Sequence, residues 1–85
     1  SATIIFESLC YCRDHINKYD IVTLKNKVKK LFERSKFNLE YLEFVSMKTM
    51  HPVDVICDNL AICIAVRIEN IRLIDNIIVN AEETN

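Results

Sequence analysis

Ile5, Leu9, Cys12 and Ile16 follow one another at spacings of four, three and four, which stacks them on one face of a helix. The rhythm predicts a first helix over Thr3 to Tyr19, with Phe6 widening the stripe and Thr3 as a candidate N-cap. Asn17, Lys18, Tyr19 and Asp20 interrupt it. Asp20 can accept a backbone hydrogen bond and open a second helix, expected from about Ile21 to about Ser35 with Ile21, Leu24, Val28, Leu31 and Phe32 inward. The outer side of that helix carries Lys25, Lys27, Lys29, Lys30 and Arg34, with Glu33 within one turn of Lys29 and Lys30.

After Asn38 the pattern changes period. Leu39 to Val45 is rich in aromatic and branched residues punctuated by charges, as on a half-exposed strand. Met47 to Pro52 reads as a connector, because Pro52 has no N–H to give to a ladder. Cys57-Asp58-Asn59 should turn the chain again. Leu60 to Ile68 is nearly continuous in apolar residues and short enough for a strand buried on both faces, although periodicity alone leaves helix open. Glu69-Asn70 then reads as a two-residue turn, with Asn tolerating positive φ, and Arg72 to Val79 as the antiparallel return strand. Ala81 to Asn85 is polar and expected to fray. The order predicts an α+β domain: two N-terminal helices packed on one face of a small three-stranded antiparallel sheet.

Composition narrows the function classes. Eighty-five residues support one core, so residues 1–85 form a single domain. With 51% hydrophobic residues and one proline, the chain has the apolar surface to fold. Eleven basic against twelve acidic side chains leave a net charge of -1, without the chain-wide field that draws proteins to nucleic acid or anionic lipid. The longest apolar run, Leu60 to Val66, is far short of the roughly 20 residues that span a bilayer. No leader-like segment opens the sequence, and a cytoplasmic location is the expectation. The four cysteines sit inside apolar segments and read as reduced core residues. Glycine is absent, which removes phosphate-cradling loops of the P-loop or dinucleotide kind.

Candidate chemistry is sparse. Cys12 and His15 share a helical face, but a metal or thiol-nucleophile site needs further ligands or an orienting acid, and the bland reading is a buried thiol beside a surface histidine. His51, beside Pro52, reads as a loop polar group before it reads as a base. Glu40 and Glu43, three apart in a strand, should point to opposite faces and not converge as an acid and base pair would. Neither catalytic residues nor a metal site are assigned. The lysine-rich second helix is the one local field: a phosphate-facing surface would use Lys25, Lys29 and Lys30, and a solvated helix face is the bland reading.

Four blocks carry a family resemblance. Leu39-Glu40-Tyr41-Leu42-Glu43-Phe44-Val45 is similar to an (I/L)-(D/E)-Y-(V/L)-E-(I/V)-V strand, and Thr49-Met50-His51-Pro52-Val53 to a T-(L/M)-x-P-V connector. Asn59 to Ile68 is similar to an apolar A-L-(I/L)-A-x-A-V-(R/K)-(I/V)-G strand, and Arg72-Leu73-Ile74-Asp75-Asn76-Ile77 to R-L-I-D-N-(I/L). In this order and spacing they resemble the C-terminal domain of the pantothenate synthetase (pantoate-beta-alanine ligase) family. Ala2 to Phe37 matches only in length and apolar rhythm, so the specific resemblance covers about half the chain. The family usually places glycine before R-L-I-D-N, where this chain has Glu69-Asn70-Ile71, and ahead of the apolar strand.

The resemblance implies an ATP-dependent ligase that activates pantoate as an adenylate and joins it to beta-alanine, giving pantothenate, AMP and pyrophosphate. It implies that ATP, with magnesium, is bound mainly by an N-terminal domain bearing H-x-G-H and K-M-S-type motifs, neither of which occurs in these residues. That domain would be the principal partner, with pantoate and beta-alanine as small-molecule substrates and neither nucleic acid nor membrane. The present residues would form the lid, inactive alone, and no catalytic residue carries over onto them. Arg72 and Asp75 should face opposite ways along the last strand, in structural hydrogen bonding or, second, in cleft contact. Two other readings stay open: an interaction or nucleic-acid-binding module using the lysine-rich helix, and association into a homodimer through an exposed sheet edge.

Overall fold

A computed structural model describes residues 3–80, so the expected fraying of Ala81 to Asn85 lies outside the described residues. Its elements are α1 (Thr3–His15), α2 (Ile21–Glu33), β1 (Asn38–Ser46), β2 (Asn59–Ile68) and β3 (Ile71–Asn80). The sheet is antiparallel with order β1-β2-β3. Both helices lie on one of its faces, α1 against β2 and β3 and α2 against β1. This is the predicted α+β architecture.

α1 buries Ile5, Leu9 and Cys12 as the spacing requires, together with Ser8, whose hydroxyl donates back to the Ile4 carbonyl at 2.8 Å. The helix stops four residues before Tyr19, because the Lys18 and Tyr19 N–H groups both converge on the His15 carbonyl; Ile16 is buried just past that end. Phe6 does not widen the inner stripe. It lies about 100° round the helix from Ile5 and is 60% exposed. Asp20 caps α2 as expected, its Oδ1 accepting from the Thr23 N–H at 2.8 Å. Ile21, Leu24, Val28 and Phe32 are buried, but Leu31 falls on the shoulder of that stripe beside Lys27 and Arg34 and stays exposed. After the helix, the Ser35 hydroxyl donates to the Phe32 carbonyl and accepts from the Phe37 N–H, turning the chain into β1.

β2 is the central strand. Leu60, Ile62, Ile64 and Val66 are fully buried beneath the helices with Leu42 and Phe44 from β1 and Val79 from β3. The expectation of burial on both faces holds only in part: on the alternate face, which carries no helix, Ala65 is fully buried between its neighbouring strands, Ala61 and Cys63 are half-buried and Arg67 is exposed. The 47–58 connector folds back along β1. Pro52 bridges Val45, and its neighbours supply the bonds it cannot, with the Val53 N–H donating to the Phe44 carbonyl at 2.7 Å and the Ser46 N–H to His51 at 3.0 Å. The β2–β3 turn is at Glu69-Asn70, but the left-handed φ belongs to Glu69 (53°) and not to Asn70. The four cysteines are free thiols, yet only Cys12 is a core residue; Cys10, Cys57 and Cys63 are half-exposed.

Candidate functional site

The helix-free face of the sheet gathers charged residues from all three strands. The two-residue turn sets Arg67 directly opposite Arg72. Like charges in that relation repel, and an acid between them removes the penalty. Glu40 supplies it: its Oε2 accepts from Arg67 Nε at 2.8 Å and its Oε1 from Arg72 Nε at 2.6 Å. A one-residue irregularity makes this reach available. Leu39 pairs with Val66 and Tyr41 with Ala65, leaving Glu40 as the extra residue of a β-bulge that re-aims its side chain.

The bulge also corrects the expectation that Glu40 and Glu43 face opposite ways. Glu43 lies opposite Cys63, on the same face as Arg67, so both carboxylates are on the open side. They do not converge as acid and base: Glu40 is clasped by the arginines, and Glu43 reaches round the β1 edge to Lys25 at 3.8 Å. Arg67 and then Arg72, through hydrogen bonds, hold the Glu40 carboxyl below the usual carboxylate range, and Glu40 in turn raises Arg72. The Arg72 guanidinium also lies over the Tyr41 ring, 5.9 Å from its centre. Arg72 and Asp75 are directed apart, Asp75 accepting from the neighbouring Asn76 N–H.

The phosphate candidates do not form one surface. Lys25 and Lys29 lie along the flank of α2 toward β1, whereas Lys30 shares the outward row with Lys27 and Arg34. Lys25 is engaged by Glu43, and Lys27 stacks over Tyr19 at 4.7 Å. Between α2 and the connector lies an open groove of about 620 Å³, lined by Lys25, Glu43 and residues 52–57. The remaining candidates also stay apart. Cys12 is sealed in the core and burial pushes its thiol up to about 12, leaving it without thiolate at neutral pH. His15 donates from Nδ1 to the Tyr11 carbonyl at 2.9 Å and stacks between Tyr11 and Tyr19, while His51 stands exposed on the connector. Among the described residues there is no group of three His, Cys, Asp or Glu side chains that could hold a metal ion.

Sequence reasoning missed the Glu40 clasp. The signal was present in the turn, which dictates the Arg67–Arg72 pairing; the bulge that completes it has no glycine or other marker. Three of the four resembling blocks each contribute one member, Glu40, Arg67 or Arg72.

The profile of the pantoate-beta-alanine ligase family matches residues 1–78. The chain is 36% identical over 80 residues to the pantothenate synthetase of Thermosipho melanesiensis, covering 92% of this chain and 29% of that protein. It is 37% identical over 83 residues to the bifunctional pantoate ligase/cytidylate kinase of Trichodesmium erythraeum, covering 91% and 16%. The crystal structure of pantothenate synthetase from Thermus thermophilus superposes with a TM-score of 0.73 over 87% of this chain and 28% of that one, at 20% identity, a likeness of fold. The chain thus spans less than a third of the length of these relatives. With a profile match over residues 1–78, nearly its whole length, this chain belongs to the pantoate-beta-alanine ligase family.

Proposed function

We propose that residues 1–85 serve as the C-terminal lid domain of an ATP-dependent ligase that condenses pantoate with beta-alanine through a pantoyl adenylate, releasing AMP and pyrophosphate. The observation that carries this reading is the family match over residues 1–78, in a chain whose alignment covers 29% of its Thermosipho melanesiensis relative. An acyl adenylate is hydrolysed by water, and a lid contributes by excluding it and by completing the cleft on closure. Such a role asks for a rigid body, which the shared core of helices and sheet supplies, and does not ask for a nucleophile.

ATP and magnesium are held, on this reading, mainly by the rest of the enzyme. The chain lacks glycine for a phosphate loop, and its lysines are divided between two rows. Magnesium takes one or two carboxylates beside phosphate oxygens. Glu40 and Glu43 are each already paired with a cation, which fits magnesium poorly. The same division denies nucleic acid a continuous basic track. Among the described residues no helix is long and apolar enough to cross a membrane, and the cytoplasm is the compartment proposed for this biosynthetic activity.

The test is pantothenate formation from ATP, magnesium, pantoate and beta-alanine, measured for this chain alone and for the chain fused behind the preceding part of the Thermosipho melanesiensis synthetase. No product is expected from the chain alone, and product is expected from the fusion. Turnover by the chain alone would overturn the lid assignment.

A further inference from the structure

The Glu40 clasp removes a repulsion and still leaves both guanidiniums with donors beyond it. Each arginine meets the carboxylate through Nε, Arg67 at 2.8 Å and Arg72 at 2.6 Å. A guanidinium carries five N–H donors in a planar fork, so its terminal Nη groups extend past the carboxylate, and both side chains are 44% exposed. Among the described residues Glu40 is the one acid within ion-pair distance of either arginine, because Glu43, on the same face, is turned to Lys25. Two cations against one anion leave the cluster with one uncompensated positive charge.

The two guanidiniums are oriented by the fold itself. The hairpin register sets Arg67 and Arg72 directly opposite, a relation that puts side-chain origins about 5 Å apart. Glu40 fixes both at Nε, and the Arg72 guanidinium lies over the Tyr41 ring at 5.9 Å. Ordering long side chains is a large part of what binding costs, and here the strands and the carboxylate have already done it. Next in register on the same face, Tyr41 and Ile74 flank Ala65, and Ile74 is 59% exposed. An apolar shelf therefore borders the charged end of the sheet.

We propose that Arg67 and Arg72, oriented by Glu40, form an oxyanion site that binds the phosphate group of a small-molecule ligand. Two forks side by side offer more donors than the two oxygens of a carboxylate can meet at once. A phosphate monoester has three terminal oxygens and up to two negative charges, and so bridges both arginines. Glu40 is the frame of the site: without it the opposed cations repel and lose their common orientation. This inference goes beyond the ligase reading and does not depend on it, since binding is measured on this chain without turnover.

Titration of the chain with inorganic phosphate, followed through side-chain Nε–H and backbone N–H resonances in proton–nitrogen correlation spectra, should give saturable shifts centred on Arg67, Arg72 and Tyr41. Arg72→Lys, with Arg67→Lys as its counterpart, keeps the charge but loses the fork and should weaken binding at least about fivefold, with the circular dichroism melt reporting that each variant is folded. Lys30→Gln, on the outward row of α2, should leave binding unchanged. At equal ionic strength acetate should bind at least about fivefold more weakly than phosphate. AMP separates two sources of the phosphate: affinity above that of inorganic phosphate assigns the site to a nucleotide seated on the Tyr41 and Ile74 shelf, and equal affinity assigns it to a phosphate group alone. Shifts that stay linear in phosphate and spread over the α2 lysines, folded lysine variants that bind as well as the wild type, or acetate binding as tightly as phosphate would overturn the proposal.

Discussion

Glu40 shows how one extra residue in a strand changes what a side chain does. Without the bulge its carboxylate would lie under the helices; with it, one carboxylate ties β1 to both strands of the following hairpin. Because Arg67 and Arg72 depress its ionisation relative to the unfolded chain, Glu40 contributes stability above the ordinary carboxylate range that is lost as pH falls through its lowered value. Glu40→Gln is therefore expected to flatten the acid limb of a stability–pH profile measured by urea unfolding, with its largest effect near neutrality. Cys12 works in the other direction. Its thiol is raised from 9.0 to about 12, so it contributes stability below the first value that is lost as pH rises toward the second. In the native protein Cys10, Cys57 and Cys63 should react with a maleimide at neutral pH while Cys12 does not; mass spectrometry of the modified peptides checks this.

Within α2, two leucines seven residues apart have different environments. Leu24 is fully buried and Leu31 is 46% exposed. Leu24→Ala should cost about 2–5 kcal/mol in chemical denaturation, and Leu31→Ala less than about 1 kcal/mol. The spacing alone put both inward, because seven residues bring the chain almost two full turns round. What separated them was the breadth of the sheet beneath, which accepts the stripe from Ile21 to Phe32 and ends before the Lys27 shoulder. The hairpin offers a second contrast. Glu69 occupies a left-handed φ that costs any residue with a Cβ. Glu69→Gly should raise stability by up to about 1 kcal/mol, read from the urea midpoint.

Among the described residues α1, α2 and all three strands contribute to a single buried cluster, so they are expected to unfold as one cooperative unit. Near- and far-ultraviolet circular dichroism should therefore report coincident thermal transitions, and separated ones would mean that helices and sheet melt independently. The helices, the strands, the turn at Glu69-Asn70 and the Asp20 cap were legible in the sequence, because each depends on local periodicity or on a side chain bonding its own backbone. The family was legible too, through four blocks of residues in order. Which face of β2 would lie open, where β1 would bulge, and which lysines would share a surface were decided by the fold. Those outcomes rest on contacts between residues far apart in the chain: Glu40 meets Arg67 and Arg72 only once the hairpin has closed and β1 has paired beside it.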